Sequence, residues 1–192
     1  MDLLRGILNP GWVSSLIGLA SLVAALLIYR ASRIGVRPVF QRQSWRLIGQ
    51  EDKLLPDEVE IRFGGRTVER LTKTHIVFWN SGTATLRGTD LVDTDPLRCE
   101  FSNDSEVLAV RVLKSSRPTN QFTAIIDPQK QNRVLMRLDY LDPEDGAAVE
   151  VLHTDTRRYP KIFGSIRGVP RGVLDWGRIA SVNSRELPFP FK

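Results

Sequence analysis

The sequence predicts a mainly β protein: an N-terminal transmembrane helix followed by an antiparallel β-sandwich, Ig-like or barrel-like. Residues Trp12 to Tyr29 form an apolar, uncharged run that Arg30, Arg33 and Arg37 close. About nine short segments of alternating apolar and polar residues follow, separated by Gly, Pro, Asp and Asn turns. No long amphipathic helix lies between them, so short turns join the strands and a parallel α/β sheet is disfavoured.

Eighteen helical residues rise about 27 Å, close to the hydrocarbon thickness of a bilayer. Asn9 suits an N-cap and Pro10 the first helical position. Trp12 and Tyr29 stand at the two ends, where amphipathic rings favour the headgroup level. A cleaved signal peptide needs small residues before its cut, and Tyr29-Arg30-Ala31-Ser32 lacks an A-x-A site. The expectation is therefore a retained, single-pass helix. Arg5 precedes it, whereas Arg30, Arg33, Arg37, Arg42 and Arg46 follow it. The positive-inside rule then puts a short N-terminus outside and the body in the cytoplasm, at an inner (plasma) membrane. Gly11, Ser14, Ser15, Gly18, Ser21 and Ala25 give the helix a small-residue face of the kind that lets helices self-associate as a homo-oligomer.

The formal charge of +5 is unevenly placed. Residues 1–48 hold six Arg and one Asp, and the rest of the chain balances. The basic pI is thus a juxtamembrane property, and it implies membrane lipids as partners through Trp12, Tyr29, Arg30, Arg33 and Arg37. No basic stripe with interleaved aromatics is read in the body, which argues against nucleic acid. Cys99, the only cysteine, lies in an alternating stretch between Leu97 and Phe101, so it is expected to be buried and inert in a reducing compartment.

The organisation expected is a short N-terminal segment at 1–11, the helix at 12–29, a basic connector at 30–57, the β domain at 58–175 and a C-terminal tail at 176–192, loose from Asn183 onward. Pro38 stops helical continuation. Val59, Ile61 and Phe63 alternate with charged residues before Gly64-Gly65, a hairpin turn into Thr67–Leu71. His75–Trp79 is apolar on both faces and suits a central strand. Leu97–Phe101, Val107–Leu113, Gln121–Ile126, Arg133–Tyr140, Ala147–His153 and Ile162–Ile166 complete the set. The expected core includes Ile61, Val77, Trp79, Leu97, Cys99, Leu108, Val110, Leu138 and Val151.

Three segments carry a resemblance. Phe78-Trp79-Asn80-Ser81-Gly82, Thr89-Asp90-Leu91-Val92 with Asp95-Pro96-Leu97, and Asp139-Tyr140-Leu141-Asp142 through Asp145-Gly146 to Leu152-His153-Thr154 resemble a pattern in uncharacterised bacterial membrane proteins. The resemblance spans roughly 58–172. It implies a single-pass helix with a cytosolic β-sandwich-like domain, and no activity.

Candidate chemistry is sparse. Asp90, Asp93 and Asp95, and Asp142, Glu144 and Asp145, fit turn formation better than the twelve-residue calcium loop with its closing Glu. His75 and His153 lack metal-ligand spacing, and no Gly-x-Ser-x-Gly elbow accompanies His153 and Asp155. Neither a cofactor, a metal site nor a catalytic set is expected. Arg167, Gly168, Arg171 and Gly172 form the one anion-binding candidate, two guanidinium groups flanking glycine N–H groups. The reading is a membrane-anchored, non-catalytic module that binds a protein partner. Its rival is a sensor whose β domain binds a nucleotide or lipid headgroup and drives helix association.

Overall fold

The computed structural model describes residues 11–31, 34–49, 60–157 and 159–179, which include one α-helix, two single-turn 3-10 helices and thirteen strands. The chain divides into two units, Met1–Ile34 and Gly35–Lys192. In the first, helix α1 (Gly11–Ala31) contains the apolar run Trp12–Tyr29 with a mean hydropathy of 2.0. It is long and apolar enough to cross a membrane, and none of that run is buried. Asn9 and Pro10 lie outside the described residues.

The second unit is mainly β. Its largest sheet has five strands in the order β13 (Leu174–Arg178), β1 (Pro38–Gly49), β4 (Arg70–Asn80), β11 (Gly146–His153) and β7 (Val107–Ser115). A second has four, in the order β12 (Lys161–Phe163), β6 (Arg98–Glu100), β9 (Arg133–Arg137) and β8 (Thr123–Ile126). Two short ribbons accompany them: β2 (Arg62–Phe63) with β3 (Arg66–Thr67), and β5 (Leu86–Arg87) with β10 (Tyr140–Leu141). The ribbon turn is Gly64-Gly65, both at positive φ as a tight hairpin requires.

Both sheets contribute to one core. Phe40, Ile76, Phe78, Val149 and Val151 of the large sheet meet Cys99, Val134 and Met136 of the small one. A separate cluster of Val39, Val77, Trp79, Ala148 and Ile179 lies on the other face of the large sheet. Strand β4 is accordingly buried without a break from Thr74 to Asn80, as its apolar sequence requires for a central position.

Several expectations need correction. The segment expected as a connector holds β1, a twelve-residue strand between β13 and β4. Its polar run hides the pattern, but its inward polar groups are matched across the sheet. Ser44 hydrogen-bonds Thr74 at 2.7 Å, and Arg42 Nη1 pairs with Asp175 at 2.6 Å. The tail expected from residue 176 likewise opens inside a strand, which runs from Leu174 to Arg178 and is followed by the buried Ile179. Residues 180–192 lie outside the described residues. Strand β13 runs parallel to β1, so the sheet is not wholly antiparallel. Val110 is half-buried but packs against the core as expected, whereas Leu108 does not, because β7 carries a bulge: His153 pairs with Val107 and Leu152 with Ala109, which skips Leu108. The expected strand Ile162–Ile166 ends at Phe163, where Gly164 adopts a φ of 132° against Leu97.

Candidate functional site

The candidate anion loop is a turn closed on itself. The Arg167 N–H donates to the Asp90 carbonyl at 2.8 Å, and its guanidinium donates to the Thr89 carbonyl at 2.6 Å. Val169 N–H donates to Ile166 and Gly172 N–H to Val169. Gly168 and Gly172 have positive φ with open space around them, so glycine serves turn geometry there. Arg171 is exposed. The loop thus keeps one free guanidinium and few free N–H groups.

Among the interface residues, Trp12 and Tyr29 are exposed on α1. Arg33 and the Arg30 side chain lie outside the described residues. Arg37 is built into the β unit: its N–H donates to Asn80 Oδ1 at 3.2 Å, its carbonyl accepts from Ser81 N–H, and its guanidinium lies 5.7 Å from the Trp176 ring centre. Asn80 is fully buried, and its amide donates to the Ala84 and Leu141 carbonyls. One side chain therefore ties the strand-start at Arg37 to two loops.

His153 is fully buried. Its Nδ1 accepts from the Asp155 N–H at 3.1 Å, which assigns the proton to Nε2, donated to Thr74 Oγ1 at 2.7 Å. Burial pushes the imidazole down to about 4, against a smaller opposing pull from Asp155. Ser102 bonds the Asp155 carboxylate, not the imidazole, and so caps a loop. Nucleophile and base are not joined, so this arrangement is structural. His75 donates from Nε2 to Glu150 at 2.9 Å, beside Arg111 and Lys73. The acidic turns do turn chemistry: Asp90 accepts from Arg87 N–H, and Asp145 from Asp142 N–H and Asn120. Burial raises the Cys99 thiol far above its ordinary range, leaving it protonated and inert. Among the described residues no three His, Cys, Asp or Glu side chains are grouped to hold a metal.

Neither a protein-family model, a curated protein nor a solved structure matches the chain. Its function must be read from its own geometry.

Sequence reading overlooked one place. A cleft of about 370 Å³ beside β12 is lined by Asp104, Asp155, Arg157, Tyr159 and Lys161, among others. The Tyr159 ring centre lies 5.4 Å from the Arg42 guanidinium and 4.9 Å from that of Arg178. The available signal was Arg157-Arg158-Tyr159-Pro160-Lys161, three cations in five residues of an otherwise balanced body. A domain-wide count hides it, and Arg42 and Arg178 join it only through folding.

Proposed function

We propose that this chain is a single-pass inner-membrane protein holding a cytoplasmic β-sandwich as a non-catalytic interaction module. Support for the anchor comes from α1, whose apolar run is wholly unburied, and from the arginines that follow it. Support for the sandwich comes from two sheets that share one core. A signal sequence would pass the same length and hydropathy test, so the length of the mature chain discriminates between them. The small-residue face of α1 supplies a route to homo-oligomers.

The observation that carries the interaction reading is the edge strand β13. Four of its five residues are exposed, and Trp176 is 45% exposed while its ring meets Trp79 edge-on at 5.3 Å. An exposed edge offers unpaired backbone groups to another strand, and a half-buried Trp is a typical anchor. A photo-crosslinking residue at position 176 in cells should give a discrete adduct that is missing when the residue stands at position 171. The same ladder from both positions, or no adduct from 176, would remove the edge as the docking surface. The sensor reading has weaker support at Arg167 and Arg171, since the loop's N–H groups are largely taken.

A further inference from the structure

We infer that the β13 edge docks an extended acidic segment of another protein, whose carboxylates meet Arg37 on one face of the strand and Arg178 on the other. That chemistry rests on β13 being the docking edge proposed above. Both arginines are exposed, and neither forms an ion pair among the described residues. Each lies instead against an exposed aromatic ring. The Arg37 guanidinium is 5.7 Å from the Trp176 ring centre, and that of Arg178 is 4.9 Å from the Tyr159 ring centre. A ring face holds a guanidinium through its quadrupole but accepts no hydrogen bond from the edge of the fork. Two positioned cations therefore keep donors for a partner.

The charge along this edge is positive. Asp175 is the strand's own carboxylate, and Arg42 neutralises it at 2.6 Å, which leaves Arg37 and Arg178 uncompensated. The adjoining cleft adds Glu100, Asp104 and Asp155 against Arg157 and Lys161, and the cations still lead by five to four. Backbone geometry sets where the two free charges stand. Regular alternation would put Trp176 and Arg178 on one face of β13. The ladder to β1 shifts between Phe40 and Arg42, opposite Gly177 at a φ of 81°, and this bulge reverses the alternation. Trp176, with Arg37 over it, thus packs on the outer cluster through Trp79. Arg178 turns the other way, to the ring that Arg42 also meets beside Phe40 of the main core. A docked strand likewise sends successive side chains to opposite faces, so carboxylates an odd number of residues apart reach both arginines. A guanidinium fork matches a carboxylate in two parallel hydrogen bonds, and Trp176 between them supplies the apolar anchor.

The test carries the photo-crosslinking residue at position 176 of the full-length chain in cells and maps the captured segment by mass spectrometry. A protein adduct is expected, on a segment with more Asp and Glu than Lys and Arg. Arg37→Glu together with Arg178→Glu should cut its yield by about tenfold or more, because like charges then face each other across the interface. Arg37→Lys together with Arg178→Lys keeps the charge and should keep most of the adduct. Equal melting temperatures of the purified chains would show that the variants fold, and the mapped composition decides the matter without any variant. With both arginines in place, the absence of an adduct removes the edge reading and the acidic partner together. A protein adduct on a neutral or basic segment, or one whose yield survives the Glu pair, overturns the acidic partner and leaves the edge reading standing. A lipid adduct, or one of twice the chain's mass, makes the occupant a membrane or a second copy and overturns it as well.

Discussion

His153 shows how burial decides the behaviour of one side chain. Below pH 6.5 the unfolded chain takes up a proton that the native ring, with its value near 4, still refuses. Stability therefore falls as pH drops through that window, by on the order of 3 kcal/mol in all. His153→Gln should flatten the dependence between pH 6.5 and 4, followed by urea unfolding at several pH values. Equal slopes in wild type and variant would mean that the ring is not the titrating group. The carboxylates act lower. Hydrogen bonds from Arg98 and Ser165 hold Asp95 below its ordinary range, so its contribution is lost only as pH falls further. Trp79, packed against Val39, Val77 and Trp176, belongs to the outer cluster. Trp79→Ala should cost about 3–5 kcal/mol, a large share of an ordinary domain's stability. Wild-type stability in that variant would show that the outer cluster carries no weight. Cys99 and most of the expected core were legible because alternation reports which face a strand residue takes. Leu108 was not, because a bulge shifts that alternation without leaving a mark in the sequence.

At the level of elements, the strands that could be read were those that bury apolar residues on at least one face. Strand β4 and the Gly64-Gly65 ribbon are of this kind. Strand β1 was illegible from Gln41 to Arg46, a run that becomes a strand only because β4 and β13 flank it. Tertiary context overrides local preference there. The same context fixes Gly146, at the start of β11. A Cβ at that position would fall on the Phe78 carbonyl and the Trp79 backbone, neither of which can swing away. Gly146→Ala should therefore destabilise the domain by roughly 1–3 kcal/mol, the range for forced overpacking. Thermal melting of the variant against wild type measures it, and an unchanged midpoint would mean that β11 does not approach β4 so closely. The candidate loop at Arg167 was readable as a turn, but its hydrogen-bond partners, Thr89 and Asp90, lie far away in sequence and could not be foreseen.

For the whole molecule, charge is what sequence and fold divide between them. The sequence alone separates a basic N-terminal stretch from a balanced body. Folding then concentrates part of that balanced charge at Tyr159, a redistribution that composition cannot register. The proposed topology rests on the first of these features: we propose that α1 stays in the chain, enters the membrane and leaves the β domain in the cytoplasm. A fluorescent protein that matures only in the cytoplasm, fused after Lys192, tests this most directly when its signal is followed through carbonate-washed membranes. Bright fluorescence is expected in the washed membrane pellet, on a chain of full length. Fluorescence in the soluble fraction, a dark fusion, or a chain shortened at the end of α1 would contradict it.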